Sequence, residues 1–217
     1  MPIRAHNQLR VLVYANYNKA DLVDDLTQRW TDFNFSSALH GGFKDASLTV
    51  PMPLDQAVLY LNRNLPGRHF HHLEISEGNR VVWEGRIMNV ELSRTPSFSG
   101  IVLEAFGYWS SCRDRYYSSG STAWGDSGTL IRDIITAACP DINGTADIAT
   151  SGVSLTGIIM TARDYPQNWI IDKIANLGGS GSGVYHFAGW ESRKPYFAVR
   201  STAQGDWYVY QRDIPFM

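Results

Sequence analysis

Cysteine is scarce in this chain: Cys112 and Cys139 are the only two among 217 residues. They lack CxxC spacing, which excludes a disulfide framework and a zinc ribbon, so two free thiols are expected. A basic excess is missing as well. Lys plus Arg total 19 against 21 for Asp plus Glu, a formal charge of −2, whereas a dedicated nucleic-acid binder carries a basic stripe. No run approaches the ~18 consecutive apolar residues of a membrane span. The opening Met1–Gln8 has no apolar h-region, so no secretory signal is read there. Catalytic signatures are equally sparse. There is no G-x-S-x-G nucleophile turn and no H-x-x-E-H zinc helix.

What is present is apolar and aromatic material enough for a core, with 44% hydrophobic and 18% charged residues. Leu9–Ala15 is rich in β-branched and aromatic residues and reads as a strand stopping at Asn16-Tyr17-Asn18. An extended run around Trp30–Ser37 leads to Gly41-Gly42-Phe43, and Ala46–Val50 alternates as a half-buried strand. Pro51 and Pro53 break it. Leu54, Ala57, Val58 and Leu61 then form one apolar helical stripe, with stop signals at Asn64 and Pro66. His72–Ser76 and Arg80–Glu84 read as a hairpin with a three-residue loop, Glu77-Gly78-Asn79. Past Gly85 the apolar alternation shifts from odd positions (Val81, Trp83) to even ones (Met88, Val90, Leu92). Such a slip at a glycine predicts a β-bulge and a curled sheet. Ile101–Phe106 supplies a further strand.

Composition changes at Tyr116–Gly125, read as a crossover into a second unit. Ser127 is the expected N-cap of a helix carrying Leu130, Ile131, Ile134, Ile135 and Ala138, ended by Pro140. Another helix is expected from Asp164 to Leu177 with Gly178 as its C′ residue. Beyond the Gly178–Gly183 connector, 184–190 and 196–200 form an expected hairpin and 207–210 a last strand. The fold class is α+β, mainly β. Residues 1–118 are read as a small antiparallel β-barrel with one helix, and 119–217 as an α+β unit.

Each chemical candidate has a plainer reading. His69 and His71 share one face of a strand, a spacing that can ligate a metal, but further ligands are missing and surface or interface histidines are expected. Asp21, Asp24 and Asp25 are read as a solvated turn face, without calcium-loop spacing. Gly178–Gly183 lies between helix and strand, the reverse of a phosphate loop, and lacks its Gly-Lys-Ser/Thr ending. Asn143-Gly144-Thr145 fits the glycosylation pattern but carries no meaning without a secretory route. No catalytic residue, cofactor or metal site is therefore assigned. The 7 Trp, 11 Tyr and 9 Phe serve a core, a protein interface or sugar stacking.

Several stretches together resemble a known family. They are Asp25–Trp30, Gly41-Gly42-Phe43 through Val50-Pro51, Gly78–Ile87 with its G-x-R-V-V-W-E-G-R pattern, and Ile101–Tyr108. The order of these elements resembles the N-terminal barrel of phage tail hub proteins and their distal-tail relatives. Tyr165-Pro166 with Trp169–Gly178, and the aromatic strand holding Trp190–Pro195, are similar to the next part of such hubs. Hubs of this type are longer, so the resemblance implies either a hub divided between polypeptides or a shorter relative.

What the resemblance implies is a non-enzymatic tail-tip or baseplate component. It would form a trimeric or hexameric ring with copies of itself and contact the tail tube protein, the tape measure and other tail-tip proteins. It would assemble in the host cytoplasm and reside in the virion tail. Trp83, Phe106, Tyr108 and Trp109 are the candidate intersubunit anchors, since aromatics dominate interface hot spots; their alternative role is barrel core. The competing functions are a tail-associated cell-wall hydrolase and a carbohydrate-binding receptor module.

Overall fold

The computed structural model describes residues 9–38, 42–63, 71–95, 98–117, 125–144, 148, 154–155, 171, 185–189 and 193–199. Seven strands form one antiparallel sheet: β1 (Leu9–Tyr14), β2 (Leu22–Asp25), β3 (Asp32–Ala38), β4 (Gly42–Pro51), β5 (His72–Glu77), β6 (Arg80–Thr95) and β7 (Phe98–Phe106). Their spatial order is β2-β1-β5-β6-β7-β4-β3. Two N-terminal hairpins thus flank a central three-stranded meander. Helix α1 (Leu54–Arg63) lies against β6 and β7. A 3-10 segment (Tyr108–Arg113) leads to α2 (Ser127–Ala138). Two small ladders complete the described residues: β8 (Gly125–Asp126) with β9 (Ser154–Leu155), and β10 (Tyr185–Gly189) with β11 (Pro195–Val199).

Strands β2 and β3 are opposite edges of the sheet, yet only residues 26–31 join them. Six strand spacings of about 4.8 Å would hold the edges of a flat sheet about 29 Å apart, and seven extended Cα steps reach about 24 Å. The connection is not even extended, because Arg29 N–H bonds back to the Leu26 carbonyl at 2.9 Å. The sheet must therefore curl until its edges approach. Leu26 and Thr31 anchor the connection by donating to Val11 of β1 and Thr49 of β4, both at 2.9 Å. Tyr60 of α1 donates its hydroxyl to Asp24 at 2.7 Å, tying the helix to the β2 edge. Among the described residues no ladder joins β2 to β3, so the sheet is curled but open, without the hydrogen-bonded closure a barrel requires.

The curled sheet encloses Val11, Val13, Leu48, Val50, Leu73, Ile75, Trp83, Ile87, Ile101 and Leu103, all fully buried. Alternation alone explains this set, since each strand sends every second residue inward. The expected phase change in β6 is present but lies at Met88, where the register against β7 slips between Ile87 and Asn89. Gly85 has a different use. A Cβ there would strike the Trp83 ring and the Phe106 carbonyl, so glycine makes the space in which the indole lies. The β5–β6 turn is tighter than expected. Glu77 pairs with Arg80, leaving only Gly78 and Asn79, and Gly78 takes φ +61°, as a hairpin turn with glycine first requires.

A second cluster collects Tyr108, Trp109, Cys112 and Tyr117 with α2 residues Leu130, Ile131, Ile134 and Ile135, and with Ile142, Ile148 and Ile171. The segment after β7 thus packs with the second half of the chain. Asp126, not Ser127, caps α2: its carboxylate accepts from Gly128 N at 2.9 Å and Thr129 N at 3.2 Å, while Ser127 is the first helical residue and fully buried. In the α1 stripe Ala57 is buried and Leu54 is half exposed. Apart from Ile171, the expected helix 164–177 lies outside the described residues, as do the Gly178–Gly183 connector and the strand 207–210.

Candidate functional site

Residues of β5 and β6 that point away from the enclosed core are polar: His72, Glu74, Glu84 and Arg86. The register sets Glu74 opposite Glu84 and His72 opposite Arg86. In solution two carboxylates facing each other across a ladder repel. Here Lys19, from the loop between β1 and β2, places its ammonium on both, forming an ion pair with Glu74 and donating to Glu84 Oε2 at 3.1 Å. Glu84 is 1% exposed. Its other oxygen accepts the backbone N–H of Arg193 at 2.7 Å.

Lys19 and Arg193 share a backbone feature. Both take φ +59°, and they are the only non-glycine residues with positive φ among those described. A residue with a Cβ pays about 1–2 kcal/mol to adopt this conformation. Both positions converge on the one carboxylate of Glu84, Arg193 through its backbone N–H and Lys19 through its ammonium.

Arg193 is tied down along its whole length. Its guanidinium lies over the Tyr17 ring at 3.9 Å from the centroid and 5.6 Å from that of Tyr108, and Nη1 donates to the Asp141 carbonyl at 2.8 Å. Its own carbonyl accepts from Asn143 N at 3.0 Å. Nearby, Arg86, 3% exposed, pairs with Asp114 at 2.5 Å and Asp141 at 3.7 Å. This layer of charges therefore lies between the two apolar clusters and joins the sheet to the second half of the chain.

Burial dictates the protonation states. Loss of solvent pushes His72 down to about 3, with the Lys19 and Arg193 charges adding to the effect, so the imidazole is neutral. Burial pushes the Glu84 carboxyl up, opposed by Lys19. The Tyr108 phenol is also pushed up by burial and then by the Glu84 charge. For Lys19, burial acts downward, but hydrogen bonds and charge from Glu74 and Glu84 outweigh it and the ammonium is raised. His72 Nδ1 shares a 2.6 Å hydrogen bond with the Tyr108 hydroxyl, and the two rings stack at 5.7 Å. Its Nε2 lies 3.8 Å from Glu84 Oε2 and has no hydrogen-bond partner.

Ligand atoms of His72, Glu74 and Glu84 lie within 4.8 Å of one another, close enough to hold a cation. The ammonium of Lys19 already fills that role for both carboxylates. Chemically the cluster is an ion layer in which one ammonium bridges two carboxylates.

The histidine stretch differs from the sequence expectation. His69 lies outside the described residues, while His71 and His72 are 4% and 0% exposed and so are not surface side chains. His71 Nδ1 instead contacts the Tyr14 carbonyl at 3.3 Å. Asp24 and Asp25 lie on the edge strand β2. Asp24 pairs with Arg29 at 3.0 Å, and Asp25 accepts from Thr27 N at 3.0 Å. Of the four aromatic anchor candidates, Trp83, Tyr108 and Trp109 are 0%, 4% and 6% exposed and pack within the chain. Phe106 is different: at 41% exposed it borders a cleft of about 170 Å³ lined also by Phe43, Lys44, Asp45, Trp109 and Arg113.

The Glu74–Glu84–Lys19 grouping escaped the sequence reading. The only local signal for it was the run of alternate charges at 72, 74, 84 and 86, since Lys19 and Arg193 are remote in sequence.

No protein-family model matches the chain, and no curated protein sequence does. Among solved structures, the fold is similar to that of a tail protein from Neisseria meningitidis MC58, with a TM-score of 0.59 and 12% identity, covering 91% of this chain and 52% of that one. It is also similar to the 43 kDa tail protein of prophage MuSo2 from Shewanella oneidensis, with a TM-score of 0.54 and 12% identity, covering 90% and 57% respectively. The chain spans about half the length of these two structures, and over nearly all of its own length it has the fold of phage-type tail proteins.

Proposed function

We propose that the chain is a non-enzymatic structural component of a phage tail tip or baseplate hub. In this reading copies assemble into a ring, trimeric or hexameric, between the tail tube and the distal or receptor-binding apparatus. The observation that carries the proposal is the likeness to two tail proteins over about nine tenths of the chain. A physical argument supports it. The sheet presents two edges, β2 and β3, and unpaired edge groups are where a neighbouring subunit or partner strand attaches. Head-to-tail contacts between unlike surfaces close into rings. Phe106, exposed beside its cleft, is the remaining aromatic anchor for such a contact, and completing a barrel across the β2–β3 gap is a second route. The ion layer is consistent with a structural part, since Arg193 and Asp141 of the second half contact Glu84 and Arg86 of the sheet.

Native mass spectrometry and light scattering across a concentration series test the reading. A trimer or hexamer, with ring-shaped particles in electron micrographs, supports it. A monomer at every concentration that also fails to join purified tail tubes replaces it with the hydrolase or glycan-binding alternative.

A further inference from the structure

The ion layer leaves one of its own ring nitrogens unserved. His72 is 0% exposed, and among the described residues nothing hydrogen-bonds its Nε2. That atom faces Glu84 Oε2 at 3.8 Å, beyond hydrogen-bond reach. The other ring nitrogen, Nδ1, is held by the Tyr108 hydroxyl at 2.6 Å. In the tautomer that donates from Nδ1, Nε2 carries a lone pair turned toward the carboxylate. A buried lone pair facing an anion is unfavourable unless a cation lies between them.

We propose that His72, Glu74 and Glu84 form a zinc site, which the ion enters by displacing the Lys19 ammonium into solvent. The three ligand atoms lie within 4.8 Å of one another. Nitrogen and oxygen ligands on one tetrahedral zinc, each about 2.1 Å from it, stand about 3.4 Å apart. The 3.8 Å between His72 Nε2 and Glu84 Oε2 is close to that separation. Both carboxylates already reach one point, because Lys19 Nζ contacts Oε2 of each. Glu74, whose side chain is 12% exposed against 1% for Glu84, has the freedom to rotate and close the rest.

Charge and ligand type favour the exchange. Two carboxylates and a neutral imidazole sum to −2, of which one ammonium cancels half and a divalent ion cancels all. An imidazole nitrogen with carboxylate oxygens suits zinc, whereas calcium and magnesium take oxygen ligands. The Tyr108 hydroxyl on Nδ1 is the outer partner that orients a ligating imidazole. Lys19 lies in the loop between β1 and β2 with its side chain 30% exposed, so the departing ammonium regains water, and water fills the fourth zinc position. Glu84 keeps its other oxygen on the Arg193 N–H. Zinc therefore releases the β1–β2 loop from the ion layer and leaves the tie to the second half in place.

The test titrates the full, tag-free chain, stripped with chelator, with zinc chloride in a calorimeter. One zinc per chain is expected, saturating at micromolar concentrations. X-ray absorption of that complex is expected to read one imidazole nitrogen with oxygens and no sulfur. Loss of even an outer partner of a ligand costs about 10–100-fold in metal affinity, so His72→Gln and Glu74→Gln are each expected to weaken binding by at least as much. Lys19→Met is expected to bind zinc several-fold more tightly, because no ammonium competes for the carboxylates. An unmutated chain that takes up no zinc at millimolar concentration would overturn the proposal. So would sulfur or a second imidazole in the absorption spectrum, undiminished binding by both glutamine variants, or a Lys19→Met chain that binds no more tightly. The absorption spectrum of the unmutated chain decides the ligand set even where a variant does not fold.

Discussion

Strands β5 and β6 carry two different kinds of interior on their two faces. Toward the sheet's own core they send Leu73, Ile75, Trp83 and Ile87, all 0% exposed. Toward the second half of the chain they send His72, Glu74, Glu84 and Arg86, nearly as dry but charged or polar. The apolar face is held by shape and volume, spread over many contacts, so a small change is partly absorbed. On the polar face every charge depends on a named partner, and removing one leaves another buried without compensation. Similar burial therefore implies different tolerance.

The largest expected effect is on the polar face. Glu84→Ala leaves the Arg193 amide without its acceptor and takes from the Lys19 ammonium one of its two carboxylates, and is expected to lower unfolding free energy by about 3 kcal/mol. Urea unfolding measures this, and a loss under 1 kcal/mol would erase the contrast between the faces.

The pH response comes next. Folded His72 has its pKa held down to about 3 and stays neutral, whereas the unfolded residue takes up a proton below about 6.5. Stability is then lost as pH falls from 6.5 toward 3, on the order of 4 kcal/mol in all and at most about 1.4 kcal/mol per pH unit. Glu84 acts with the opposite sign. Its raised folded pKa adds stability as pH falls through its own range, and so offsets part of the loss. His72→Gln is expected to flatten the slope of urea midpoint against pH; an unchanged slope would assign the acid sensitivity elsewhere.

Gly85→Ala tests the apolar face by overfilling it. The new methyl meets the Trp83 ring and the Phe106 carbonyl, for an expected loss of about 1–3 kcal/mol and a changed Trp emission spectrum. Ile75→Val removes one methylene from the same face and is expected to cost about 0.5–1.5 kcal/mol in urea unfolding. The smallest effect is at the β2 edge. Leu22 is 53% exposed, so Leu22→Lys is expected to leave stability within about 0.5 kcal/mol. The same change would weaken any self-association that uses this edge, a split that sedimentation can read.

The strands that alternate strongly were legible from sequence: β1, the half-buried stretch of β4, the β5–β6 hairpin and β7, as were α2 and the β10–β11 hairpin. Strand β2 was not. Leu22-Val23-Asp24-Asp25 is short and half charged, and an edge strand has little buried face to leave a pattern. Trp83, Tyr108 and Trp109 show a second limit, because an aromatic type suits core and interface equally and only packing tells them apart. The cap at Asp126 was missed by one residue, Asp and Ser being equally good caps. The ion layer was hidden for a different reason. Lys19, Glu84 and Arg193 are joined only by tertiary structure, and no local spacing links them.

The strand order also carries a consequence for how the chain comes to fold. The β1–β2 and β3–β4 hairpins are made first, yet neither pairs with the other. Each waits for the meander, β1 for β5 and β4 for β7, so a growing chain holds two separated ribbons with bare edges until residue 106 has been made. Pairing at such sequence distance is slow, and the waiting ribbons are exposed to wrong neighbours. Arrival of β5–β6–β7 acts as the closing panel. Folding-rate measurements on the chain should then depend far more on that meander than on either hairpin that precedes it.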